Sequence, residues 1–293
     1  MVKRTFLISL CFGYAISILA LALCCRENTV SNPSIVVFPA QVIQGEPLMV
    51  QMAGVESRTT ITAIVFNNAT STVFIYQNKP TALFGIDLHQ KPGTYQVKVV
   101  FSDGHMMTQK ISVGMRAVNV APLGIPQSLG GNTTASQTQM VATLNAENQT
   151  LLHIPTARTA LWSAVFIPPL TSLTVTDPYG YSRQTGVYVI PHKGVDYRAS
   201  VGTPVMVIND GIVRVARTYQ DYGQTVVIDH GLGVMSFYLH LSRIGVRVGQ
   251  KVTRGQVIAL SGQTGYALGP HLHLSIRIGG ISVDPVTFFA LFK

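Results

Sequence analysis

Short runs of alternating apolar and polar residues fill the chain between positions 33 and 114: SIVVFP, PLMVQM, TITAIVF, STVFIY, YQVKVVF and QKISV. Side chains at i and i+2 of a strand share a face, so a period of two predicts strands half buried against a core. Turn residues separate the runs at Gln44-Gly45-Glu46, Asn67-Asn68, Lys91-Pro92-Gly93 and Asp103-Gly104.

Strands this short and this closely spaced predict an immunoglobulin-like β-sandwich over residues 33–114, without the cysteine pair of antibody domains. Across 115–160 the alternation dissolves into Pro, Gly, Asn, Thr and Gln, which predicts a linker with one short helix near 138–152. Strands return over 161–293, now rich in glycine: PVMVI, GIVRVA, QTVVIDH, VMSFYLHL, QVIALSG and LHLSIRI. Asn209-Asp210-Gly211, between two β-branched runs, predicts a hairpin. With no amphipathic helix of useful length, this part reads as an antiparallel β-domain and the whole fold as all-β.

The first 27 residues follow a different pattern. Lys3 and Arg4 precede an almost uncharged apolar run over 5–25, and Arg26 and Glu27 close it. This is an export signal, either cleaved near Ala20-Leu21-Ala22 or kept as a membrane anchor. It places the folded part outside the cytoplasm, in the periplasm or cell wall, secreted or membrane-anchored.

Charged residues make up 11% of the chain, less than half the usual share. The net charge of +9 is scattered, without the basic and aromatic cluster of a nucleic-acid groove; it suits an anionic cell envelope instead. The three cysteines, Cys11, Cys24 and Cys25, lie in the export segment. The exported part therefore has no disulfide framework or thiolate site, and any metal must be held by histidine and carboxylate.

Five of the eight histidines fall in 161–293. His271 and His273 in GPHLHLSIRI lie two apart on a strand, so both rings project from one face. His192 and Asp196 form H-x-x-x-D in PHKGVDYRAS, where Pro191 and Gly194 oppose a helix and an extended path returns both side chains to one face. His240 in FYLHL adds a fourth imidazole on an apolar strand. Such a set suits zinc, whose catalytic sites use three protein ligands and keep a fourth position open. Two histidines then remain for acid–base work or for steadying an oxyanion. His230, beside a glycine-rich turn, reads as structural.

In order along 162–285 stand DPYGYSR, HKGVDYRASVGTPVMVINDGIVRVA, GQTVVIDHGLG, YLHLS, VGQKVTRGQVIALSGQTG, GPHLHLSIRIGG and VDP. This ensemble resembles the lysostaphin-type, or LytM, zinc endopeptidases of bacterial peptidoglycan. The resemblance implies that His192, Asp196 and His273 bind zinc, that His240 and His271 are the catalytic pair, and that wall peptides are the substrate. Tyr188, four residues before His192, is a candidate for oxyanion stabilisation, while Asp177 and Arg183 would fix a loop at the groove's edge. Two rivals stand beside this reading: a degenerate domain that binds peptidoglycan or activates another hydrolase without cutting, and a structural wall protein.

Overall fold

The computed structural model describes residues 32–55 and 60–292. The export signal expected at 1–27 lies outside the described residues. Among those described, no helix is long and apolar enough to cross a membrane.

In chain order the first strands are β1 (Ser34–Phe38), β2 (Val42–Ile43), β3 (Pro47–Ala53), β4 (Ile61–Phe66), β5 (Ala69–Ser71), β6 (Phe74–Tyr76), β7 (Lys79–Gly85), β8 (Gly93–Phe101) and β9 (Met106–Gly114). They form two sheets, ordered β1-β3-β7-β6 and β2-β9-β8-β4-β5. Leu48, Val50 and Phe84 from the first sheet pack on Ile64, Val97 and Val113 from the second. Strand β7 has no alternating signature because it is buried on both faces: Ala82 and Phe84 enter this core, while Leu83 enters a second one.

Next come β10 (Val120–Pro122) and α1 (Thr134–Thr150), the helix beginning four residues earlier than its sequence suggests. Thr133 caps it, its hydroxyl accepting the Ser136 N–H at 3.2 Å, which satisfies one of the free donors of the first turn.

The remainder comprises β11 (Val175–Asp177), β12 (Ser182–Thr185), β13 (Tyr188–Pro191), β14 (Val195–Arg198), β15 (Pro204–Met206), β16 (Gly211–Thr218), β17 (Gln224–Gly231) and β18 (Val234–Leu241). After these follow β19 (Arg243–Ile244), β20 (Lys251–Val252), β21 (Val257–Leu260), β22 (His271–Ile278), β23 (Ile281–Val283) and α2 (Pro285–Leu291). The central sheet runs β11-β14-β22-β18-β17-β16-β20, with β23 paired to β22.

One face of this sheet is apolar. Tyr197, Leu272, Leu274, Ile276, Tyr238 and Ile228 join a core with Phe166, Phe288 and Phe292. Each such side chain contributes roughly 1.5–3 kcal/mol on burial; the opposite face carries a smaller apolar cluster of Val227, Met235, Phe237 and Leu239 with Leu151, with polar groups beside it.

The expected hairpin at Asn209-Asp210-Gly211 does not form. β15 pairs with β21, whereas β16 pairs with β17 and β20. The three residues instead cross between sheets: Asn209 is fully buried, with its amide on the Ala164 carbonyl at 2.8 Å, and Asp210 Oδ1 accepts the Arg254 N–H at 2.7 Å. A Cβ on Gly211 would lie 2.5 Å from Ile228 Cγ2, so that glycine serves close packing rather than a turn.

Candidate active site

Strand register brings the first two polar side chains together. β14 and β22 run antiparallel with Asp196 opposite His273 and Arg198 opposite His271. Since Leu272 and Leu274 enter the core, His271 and His273 stand together on the other face, as their two-residue spacing requires. Asp196 shares that face.

His192 arrives differently. The H-x-x-x-D segment is not one strand: β13 ends at Pro191, β14 begins at Val195, and the residues between make a sharp connection. The backbone of His192 is held on both sides, its N–H on the Tyr181 carbonyl at 2.7 Å and its carbonyl on the Gly180 N–H at 2.8 Å. Gly194 follows because a Cβ there would sit 2.4 Å from His273 Nε2 and 2.6 Å from the Leu274 carbonyl oxygen.

Three ligand-type atoms converge. His192 Nε2 lies 3.0 Å from Asp196 Oδ1 and 2.9 Å from His273 Nδ1, and His273 Nδ1 lies 2.8 Å from Asp196 Oδ1. Among the described residues this is the group of three or more His, Cys, Asp or Glu able to hold a metal.

The chemistry of the set fits a cation. His192 Nδ1 is 3.1 Å from the Pro178 carbonyl, which only accepts, so Nδ1 carries the proton and Nε2 offers a lone pair. Burial alone would raise the Asp196 carboxyl, but contacts with His192 and His273 outweigh it and hold the group well below the usual carboxylate range. Burial pushes His273 down to about 4, leaving a neutral imidazole near neutral pH. With its Nδ1 proton on the Pro178 carbonyl, His192 turns the Nε2 lone pair to the Asp196 carboxylate at 3.0 Å, and the two repel unless a positive charge lies between them. Two histidine nitrogens and one carboxylate oxygen suit zinc.

Arg183 supports the carboxylate from behind. Its Nη2 donates to Asp196 Oδ2 at 2.5 Å and also to Asp177 Oδ2. The sequence suggested a loop-fixing pair in Asp177 and Arg183; the direct grip on Asp196 was not legible there, because Arg183 and Asp196 lie on β12 and β14, which do not pair.

His240 reaches this face through a backbone irregularity. Between β17 and β18 the register passes from Val226↔Tyr238 to Gln224↔Leu241, so Leu239 and His240 together oppose Thr225, a β-bulge. With φ at 59°, His240 leaves the alternation that would send it into the core beside Tyr238. Its Nδ1 donates to the Thr264 carbonyl at 2.9 Å, so Nε2 carries a free lone pair. Burial first, then the neighbouring His271, pushes this imidazole down to about 3.

His271 is tied in the same way, Nδ1 to the Gly269 carbonyl at 2.8 Å. Its Nε2 is buried, has no hydrogen-bond partner among the described residues and lies 3.7 Å from Asp196 Oδ1. The His240 and His271 rings are 4.8 Å apart. Two cavities adjoin the group: one of about 380 Å³ lined by His192, His240 and His273, with Met140 and Leu144 of α1, and one of about 350 Å³ lined by Asp196 and His271.

The remaining sequence candidates fall elsewhere. Tyr188 hydroxyl bonds with Thr138 Oγ1 at 3.1 Å and lines neither cavity. His230 is fully buried, bridging the Asp210 carbonyl and Ser236 Oγ at 2.8 Å each, as a structural residue would.

Residues 190–285 match the profile of peptidase family M23, the stretch that supplies every one of these five side chains. The chain carries a peptidase family M23 domain. Peptidoglycan DD-endopeptidase ShyA of Vibrio cholerae is 49% identical over 96 residues, which is 33% of this chain and 22% of that protein. DD-carboxypeptidase/endopeptidase Mpg of Neisseria meningitidis is 38% identical over 122 residues, 41% of this chain and 28% of that protein. The match thus spans less than a third of either relative. A crystal structure of an M23 peptidase candidate from Pseudomonas aeruginosa superposes with a TM-score of 0.64 at 25% identity, covering 86% of this chain and 96% of that one. The structural likeness therefore extends well beyond the M23 segment, into the N-terminal sandwich.

Proposed function

We propose that this protein is a zinc-dependent endopeptidase that hydrolyses peptide stems or cross-bridges of bacterial peptidoglycan. The observation that carries the reading is the convergence of His192 Nε2, Asp196 Oδ1 and His273 Nδ1, with two further imidazoles beside it whose Nε2 lone pairs are uncommitted. The names of the M23 relatives support peptidoglycan as substrate and favour bonds between D-amino acids.

In this reading His192, Asp196 and His273 hold zinc. When bound, the metal supplies Lewis-acid polarisation of the scissile carbonyl and activation of water near neutral pH. The chain's own groups do the rest. His240 and His271 each donate Nδ1–H to a carbonyl, which fixes the ring and turns Nε2 inward as a proton acceptor. One takes a proton from the attacking water and, once charged, delivers it to the amine nitrogen as the C–N bond breaks, while the other steadies the oxyanion. Such acid–base help is worth on the order of 10²–10⁴-fold. Arg183 keeps Asp196 oriented.

The export segment at 1–27, followed by the sandwich at 33–114, the connecting stretch at 115–160 and the hydrolase domain at 161–293, supports action outside the cytoplasm, with the membrane as anchor if the segment is retained. Digestion of purified sacculi by zinc-loaded protein, with mass spectrometry of the released peptides, tests the proposal. Release of cross-link fragments is expected. Tight sacculus binding with no peptide released from any cross-link chemistry would transfer the reading to a binding or activating module.

A further inference from the structure

We propose that Glu147 of helix α1 is a positioning residue for His240, so that the active site includes an element lying before the M23 segment. The inference rests on the proposed hydrolase and deepens it. In the sequence of α1, TASQTQMVATLNAENQT, Glu147 is the one charged residue, and it is 7% exposed.

Its carboxylate is gripped by three consecutive backbone N–H groups of the turn between β16 and β17. Oε1 accepts from Gln220 at 2.5 Å and from Asp221 at 3.1 Å, while Oε2 accepts from Asp221 at 3.2 Å and from Tyr222 at 3.1 Å. Successive amides closing on an anion form a charge-assisted nest, stronger than neutral hydrogen bonds.

The carbonyls of that same turn hold the catalytic side. Tyr222 accepts the His240 N–H at 3.0 Å, and Asp221 accepts the Tyr266 N–H at 2.7 Å. Next to the turn, Thr264 carries the carbonyl that binds His240 Nδ1, and its hydroxyl accepts the Gln224 N–H at 2.9 Å and donates to the Leu241 carbonyl at 2.6 Å. A histidine at positive φ persists only where its surroundings hold it, and the turn anchored by Glu147 is part of those surroundings.

The helix end is itself clamped to the strand of the other site histidines. Arg277 on β22 donates to the Leu151 carbonyl at 3.1 Å and to Asn148 Oδ1 at 2.8 Å. Leu151, which closes the helix, already shares an apolar cluster with Val227, Met235, Phe237 and Leu239 of the sheet, so seating the helix does not of itself require a charge. Here a buried carboxylate sits beside Asp221, which burial and the Glu147 charge push up to about 7.

The test uses the full chain loaded with zinc, as wild type, Glu147→Ala and Glu147→Gln. Misplacement of a catalytic group by about 1 Å can reduce rate on the order of 10²-fold. The expected result is a fall in kcat of that order in Glu147→Ala, with KM and zinc content unchanged, and partial recovery in Glu147→Gln, which keeps one acceptor oxygen. Carbon-13 NMR of Asp221 should report a lower carboxyl midpoint once the neighbouring charge is gone, and the His240 ring resonances should move. An unchanged or raised kcat in Glu147→Ala, with the Asp221 midpoint already lowered, would overturn the proposal. Should wild type release no peptide, the hydrolase reading fails on its own; the His240 resonances in the milder Glu147→Gln then decide, a shift supporting the positioning role and an unchanged spectrum overturning it.

Discussion

Asp196 faces His273 across the antiparallel register of β14 and β22, and their ligand atoms lie 2.8 Å apart. Two ordinary strands thus preset two donors of the triangle, and the connection after β13 adds His192. What remains is to aim the carboxylate, which Arg183 does by binding Oδ2, on the side away from the histidines.

Arg183→Gln should therefore weaken zinc binding by about 10–100-fold, the usual effect of removing a group that orients a ligand, while leaving the fold intact. Competition with a chromophoric chelator measures it. Affinity equal to wild type would remove Arg183 from the metal's support.

His271→Ala should keep zinc and lose hydrolysis by on the order of 10²-fold or more, because His271 stands beside the triangle with an unpartnered Nε2 and is not one of its corners. Zinc content and peptide release, measured on one preparation, separate the two effects. Loss of zinc would make His271 a ligand.

Gly194→Ala adds a methyl 2.4 Å from His273 Nε2 and 2.6 Å from the Leu274 carbonyl oxygen. That oxygen belongs to the sheet backbone and cannot yield readily, so the ring must. Lower zinc affinity and a stability loss of about 1–3 kcal/mol are expected, read by calorimetry with and without chelator. A variant as stable and as tightly metallated as wild type would contradict the packing argument.

Burial holds His230 down at about 4, against 6.5 for the free side chain. For a base whose folded pKa is depressed, the penalty is absent above the unfolded value. It grows as pH falls from about 6.5 to about 4, because the unfolded chain takes a proton that the fold refuses. Wild type should lose about 3 kcal/mol over that window from this residue. In His230→Asn the acid limb of the unfolding curve should flatten; an identical pH profile would place the acid sensitivity elsewhere.

The clustering of the candidate residues was legible in part: the two-residue spacing of His271 and His273 does put both rings on one face, whereas His192 meets Asp196 through the turn between β13 and β14 and not along the extended path its spacing suggests. Less legible were features that depend on irregular or distant geometry. No local signal marks the bulge that turns His240 onto the site face, since VMSFYLHL reads as an unbroken strand. β7 carries no alternating signature, because a strand buried on both faces does not alternate. Asn209-Asp210-Gly211 looked like a hairpin because turn propensity does not reveal which strands will pair. The grip of Arg183 on Asp196 joins strands that are not neighbours in the sheet, and the one acidic residue of α1 was the available hint of Glu147.

Zinc stoichiometry of the purified full chain, by inductively coupled plasma mass spectrometry after dialysis against a weak chelator, asks whether the His192–Asp196–His273 triangle is a metal site. One tightly held zinc per chain is expected in wild type and none in Asp196→Ala, since with His192, Asp196 and His273 as the proposed ligands the loss of one leaves too few. Undiminished tight zinc in Asp196→Ala would contradict it.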